Sequence, residues 1–143
     1  MTIYNTVYCT TLLYGSESWT LDNRDRSRLQ ATEMKFLRRT IGKTKRDKIR
    51  NTRIREEVKT ETLEHKIERN QLRWFGHVNR MSDKQIPKKM FECRQTSKLP
   101  KGRPRKTWRE SISDIVVKRG STLKEAIKLS SNREGWRKFI NAR

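Results

Sequence analysis

Few residues in this chain are of a type and spacing that could carry a reaction. Glu56 and Glu57 are the only adjacent acids. A metal-dependent polymerase or nuclease needs clustered carboxylates, because its two hard cations sit within a few ångströms of each other. Here the pair lies in an Arg-rich surface helix, and Arg53 and Arg55 read as its solvated salt-bridge partners. His65, His77 and Cys93 stand 12 and 16 residues apart, too far for the close ligand sets of zinc fingers and knuckles. His77 follows Gly76 beside an apolar stripe, which suggests a hydrogen-bonded helix-packing role. The sequence holds no Gly-rich phosphate loop, no G-x-S-x-G elbow and no recognisable Cys-His pair. The expectation is a chain that is no enzyme on its own, with no catalytic residue, no metal site and no cofactor.

Charge is the dominant chemical feature. Of 143 residues, 36 are Lys or Arg and 16 are Asp or Glu, a formal net charge of +20. One basic run comprises Lys43, Lys45, Arg46, Lys48, Arg50, Arg53 and Arg55, against the single acid Asp47. A second comprises Arg94, Lys98, Lys101, Arg103, Arg105 and Lys106, with no acid. Arg69, Arg73 and Arg80 lie between them on a helical segment. Such cations repel one another until phosphates displace mobile counterions, so RNA or DNA backbone is the expected partner. Trp74 and Phe75 follow Arg73, and aromatics so placed can stack on bases. On the apolar stripe of a helix, however, a tryptophan reads first as core.

Only 31% of the residues are hydrophobic, so the core must be thin. Ile3, Val7, Tyr8, Leu12 and Leu13 suit a helix, although Thr10, Thr11 and Tyr14 also permit a strand. "GSESW" breaks that element. A second helix starts after Thr20–Asn23 and stops at Gly42, with Leu29, Phe36, Leu37 and Ile41 as its stripe and Met34 beside it. Asn51 can cap a short helix holding Ile54 and Val58. The longest signal joins Leu63, Ile67, Trp74, Val78 and Met81, widened by Leu72 and Phe75, with Glu64, Glu68, Arg69 and Arg73 opposite. Ser82 and Gln85 have capping-box spacing, Pro87 suits a first turn, and Ile86, Met90 and Phe91 would pack inward. Thr107/Glu110, Thr122/Glu125 and Ser131/Glu134 repeat the S/T-x-x-E spacing. They open helices carrying Trp108, Ile112, Ile115 and Val116; then Leu123, Ala126 and Ile127; then Trp136, Phe139 and Ile140. Gly120 ends the first of these. The fold class is therefore mainly α, a small irregular multi-helix assembly with a thin core and basic linkers. The expected core includes Leu29, Phe36, Leu37, Ile67, Trp74, Phe75, Val78, Trp108, Ile112 and Trp136.

Cys9 and Cys93 show no disulfide spacing and fit a reducing intracellular compartment. "IYNTVYCTTLLYG" is too short and polar to span a bilayer and lacks a basic leader, so no membrane partner is expected.

"LLYGSESWTL" (Leu12–Leu21), "LRWFGHVNRM" (Leu72–Met81) and "GRPRKTW" (Gly102–Trp108) stand in an order that resembles the C-terminal end of non-LTR (LINE-type) retrotransposon reverse transcriptases. "EMKFLRRTIG" between the first two is similar to that family as well. The resemblance implies the thumb and post-thumb region without the endonuclease or the fingers–palm domain and its acidic motif. Met1 would then begin inside an ancestral reading frame. A thumb holds a primer–template duplex largely through phosphates, which carry no sequence information.

The implied organisation is a remnant segment over 1–21 that would pack loosely in the absence of a polymerase palm. A basic thumb-like helical region (22–93), a basic linker (94–106) and a C-terminal helical region (107–143) follow. The palm would be supplied elsewhere, and the setting would be a nuclear or cytoplasmic ribonucleoprotein. Two other readings stay open. Lys101–Lys106 resembles an AT-hook, whose arginines enter a narrow A·T minor groove, and the whole chain could be a non-functional retroelement relic.

Overall fold

The computed structural model describes residues 2–93, 102 and 106–142. All regular structure among them is helical. Helix α1 is a π-helical stretch, Tyr4–Tyr8, running into Cys9–Leu12, and a single 3-10 turn follows at Ser16–Ser18. The others are α2 (Asn23–Thr40), α3 (Asn51–Val58), α4 (Leu63–Asn79), α5 (Ile86–Glu92), α6 (Trp108–Lys118), α7 (Leu123–Ser131) and α8 (Arg133–Asn141). None is long and apolar enough to cross a membrane. The chain forms two compact units, Met1–Ser16 with Leu21–Glu68, and Glu17–Thr20 with Arg69–Arg143.

In the first unit the buried apolar residues are Tyr4, Cys9, Leu13, Met34, Leu37, Ile54, Val58, Leu63 and Ile67. Helix α2 begins with a reciprocal box in which the Asp22 carboxylate accepts from the Asp25 amide at 2.7 Å. It ends in a Schellman turn: Gly42 takes φ +67°, its N–H donates to Arg39 O, and Lys43 N–H donates to Arg38 O. Helix α3 ends the same way, but Lys59 occupies the left-handed position at φ +54°. A side chain there is strained where glycine is not.

The N-terminal segment is anchored on one side only. Tyr4, Tyr8 and Phe36 form an aromatic group, with Tyr8 and Phe36 stacked at 4.4 Å between centroids. On the other side Ile3, Val7 and Tyr14 are exposed, so α1 is loosely packed as the sequence suggests.

The second unit has an apolar core of Leu72, Phe75, Ile112, Ile115, Val116, Ala126, Trp136 and Ile140, with Phe91, Trp108, Leu123, Ile127 and Phe139 against it. Each Val, Leu, Ile or Phe among them, once fully buried, contributes roughly 1.5–3 kcal/mol. Gly76 stands in the last turn of α4 because Trp136 lies on it. A Cβ built there would come within 2.1 Å of the indole Nε1, which donates to the Leu72 carbonyl at 3.0 Å. Helix starts at Thr107/Glu110 and Thr122/Glu125 both form the reciprocal box. Gly120, at φ +76°, closes α6.

Several expectations need correction. At α8 the capping side chain is Asn132, not Ser131; its Oδ1 accepts from Glu134 and Gly135 N–H, being one residue nearer the free amides. Helix α5 has Gln85 before it with no side-chain cap, and Gln85 N–H instead donates to the Ser82 carbonyl, although Pro87 does fall in the first turn. Asn51 is the first helical residue of α3 rather than its cap, because Arg38 Nη2 claims its Oδ1 at 2.7 Å. Ile86 and Met90 are exposed, and only Phe91 of that trio packs inward. Leu29, Phe36, Trp74 and Trp108 are half-buried; Trp108 still packs on the core cluster, whereas Trp74 does not belong to it. Met81 falls beyond the end of α4 and is half-buried.

Candidate nucleic-acid interface

The basic run after α2 is an ordered turn. Asp47 Oδ2 accepts from the Thr44 N–H at 2.6 Å and from its hydroxyl at 3.0 Å. Arg46 N–H donates to Thr44 Oγ1, and Lys48 N–H donates to the Lys45 carbonyl. The Thr44 N–H, then the Thr44 hydroxyl, hold the Asp47 carboxyl below the usual carboxylate range, with Lys43 adding to the effect. The one acid of the run is thus turned onto its own backbone. Around it Lys43, Lys45, Arg46, Lys48, Arg50 and Arg53 are all exposed. None of the six makes an ion pair among the described residues.

What fixes this loop was not foreseen. Arg38, on the last turn of α2, donates through Nη2 to the Ile49 carbonyl at 3.1 Å as well as to Asn51. It therefore ties the far end of the loop to the helix where the loop starts. The same unit holds a buried carboxylate. Glu33 is 1% exposed; its Oε1 accepts from the Tyr4 hydroxyl at 3.0 Å and from the Leu63 amide at 3.2 Å. Its Oε2 accepts from Arg55 Nη2 at 2.6 Å. Leu63 opens α4, so the carboxylate meets an amide that a helix start leaves free, at the end where negative charge is favoured. Glu56 and Glu57 are exposed, and Arg55 pairs with Glu33 instead of with them. One signal was present in sequence: Glu33 falls midway between Leu29 and Leu37, at four-residue spacing on the apolar stripe.

In the second unit other cations are spent on helix ends. Arg119 Nη1 donates to the Phe139 and Ile140 carbonyls at the end of α8. Lys88, 8% exposed, donates to the Asn79 carbonyl at the end of α4. Arg80 Nη1 donates to the Ser130 carbonyl of α7 at 2.8 Å. Cations at helix C-termini are favoured by the exposed carbonyls and the helix dipole. Lys106 pairs with Asp114. Among the unit's described candidates Arg73 is exposed and not spent on a helix end, whereas Arg69 is half-buried. His77 is exposed, not packed inward, with its ring 5.4 Å from that of Trp74. Lys98, Lys101, Arg103 and Arg105 lie outside the described residues.

No group of His, Cys, Asp or Glu among the described residues could hold a metal ion. The fold and the surface together define a small, strongly basic, mainly α-helical protein. No family model, no curated protein and no solved structure matches the chain.

Proposed function

We propose that this chain binds RNA or DNA through the phosphate backbone, tolerant of sequence and without a polymerase or nuclease reaction of its own. The observation that carries the reading is the Lys43–Arg53 surface: six exposed cations on an ordered turn and the start of α3, with the one acid, Asp47, held by Thr44. Side chains fixed at the backbone level lose less freedom when phosphates replace their counterions. The resemblance of "LLYGSESWTL", "LRWFGHVNRM" and "GRPRKTW" to the C-terminal part of non-LTR reverse transcriptases supports the same reading. On it, the chain is a thumb-like module that grips a duplex or strand for a palm supplied elsewhere, within a ribonucleoprotein.

For Lys101–Lys106, the capped start of α6 and the packing of Trp108 favour a basic lead-in to an anchored helix over an autonomous AT-hook. A binding titration of the purified chain tests the function. Log affinity should fall linearly with log salt, by about 0.7–0.9 per phosphate contact, and A·T and G·C duplexes should bind alike. A flat salt response removes the reading, and a strong A·T preference lost on replacing Arg103 and Arg105 would restore the AT-hook.

A further inference from the structure

The tryptophans of this chain are not used alike. Trp136 is 2% exposed and donates to Leu72 O. Trp108 packs on the core and donates to the Glu17 carbonyl at 2.8 Å. Trp74 does neither. It is half-buried and outside the apolar cluster, and its Nε1 makes no hydrogen bond among the described residues. In a chain with so little apolar material, an indole that lines an open cleft and keeps its N–H unbonded has stacking surface and a donor to offer.

Its neighbours give that face a context. Asn70, Arg73, Trp74 and His77 recur at i, i+3, i+4 and i+7, so they share one face of α4, away from buried Leu72, Phe75 and Val78. With Glu17 they line a cleft of about 310 Å³ that opens to solvent. The Trp74 and His77 rings stand 5.4 Å apart, tilted by 40°. This set differs in kind from the Lys43–Arg53 surface. The lining combines an acidic residue, Glu17, with Arg73, and a carboxylate can accept from the exocyclic amine of a base. The indole offers a stacking surface, and exposed Arg73 can meet the adjoining phosphate.

We infer that the cleft formed by Glu17, Asn70, Arg73, Trp74 and His77 receives an unpaired nucleobase of single-stranded nucleic acid, stacked on Trp74. This rests on the phosphate-binding reading and adds to it a preference for strands whose bases are accessible. Bases paired within a duplex do not reach the indole.

The test compares a single-stranded oligonucleotide with an abasic strand of equal length and charge, on the full chain at fixed salt. The base-bearing strand should bind about tenfold tighter. Trp74→Ala should erase that ratio and Trp74→Phe should keep most of it, with the slope against log salt unchanged in both. Circular dichroism and amide exchange in α6 and α8 check that the variants remain folded. Equal affinity of the unmodified chain for the two strands, with a steep salt slope, overturns the base site and leaves phosphate binding standing; this arm needs no variant. A ratio that survives Trp74→Ala overturns it too. No binding of either strand defeats both readings at once.

Discussion

The two compact units solve the same problem, a thin core in a highly charged chain, by different chemistry. Unit 1 is organised around a buried carboxylate: Glu33 gathers Tyr4 from α1, Arg55 from α3 and the first amide of α4. Unit 2 is organised around an indole: Trp136 lies on Gly76, donates to Leu72, and is surrounded by Phe75, Phe139 and aliphatic side chains. A polar hub fixes which atoms meet, but it is costly if any partner is lost. An apolar core is more forgiving of chemistry and less forgiving of shape. The cations follow suit. In unit 1, Arg38 and Arg55 hold the elements that carry the exposed run; in unit 2, Lys88, Arg80 and Arg119 finish helices.

The contrast is easy to follow, because all four tryptophans fall in unit 2 and all three tyrosines in unit 1. The largest expected effect is on the hub. Glu33→Ala strands Arg55 and leaves the Tyr4 hydroxyl and the Leu63 amide unpaired, and should cost about 3–5 kcal/mol, read from amide exchange in α2 and α4. Joint replacement by Glu33→Leu, Arg55→Leu and Tyr4→Phe should recover most of that loss. If the triple variant is no better than the single one, the hub does more than satisfy its own charges.

Gly76→Ala comes next, at about 3 kcal/mol, because the new methyl overlaps the Trp136 ring and the backbone of α4 cannot yield. Denaturant unfolding followed by tryptophan emission measures it. An unchanged midpoint would mean that the indole does not sit on Gly76.

Alkali should also separate the units. Burial, then the charge of Glu33, raises the Tyr4 and Tyr8 hydroxyls above the ordinary tyrosine value of 10.0. The fold therefore keeps protons that the unfolded chain releases. This stabilisation is complete below about pH 10 and is lost as pH rises further. Ionisation of Tyr4 and Tyr8 should lag behind that of tyrosine in the unfolded chain and then appear together with loss of α1–α2 structure. Smallest is Lys59→Gly, which relieves the left-handed residue after α3 and should stabilise unit 1 by about 0.5–1 kcal/mol in thermal unfolding.

How far the sequence carried depended on whether a feature was local. Helix starts at Thr107 and Thr122 and the stop at Gly42 need only neighbours within a turn, and they formed as read. Ser131 and Asn51 were misassigned because a competing side chain one residue away, or a distant arginine, claimed the same group. Glu33 could not be placed by periodicity, since a stripe position says that a side chain turns inward but not that three partners await it. Trp74 failed the opposite way. Its spacing suited the stripe of α4, but the cleft of about 310 Å³ beside it belongs to the neighbouring face, which only three-dimensional packing reveals. The exposed cations were legible as charge. Their fixation by Arg38 and Thr44 was not, because it depends on which carbonyls a loop presents.

The account turns on whether the Lys43–Arg53 surface grips phosphates. The direct measurement is oligonucleotide affinity across a salt series, for the chain and for a variant with Lys43, Lys45, Arg46 and Lys48 replaced by glutamine. The unmodified chain should give a steep straight line of log affinity against log salt, and the variant a line shallower by about three units. A flat line for the chain, or the same slope for both, would contradict it.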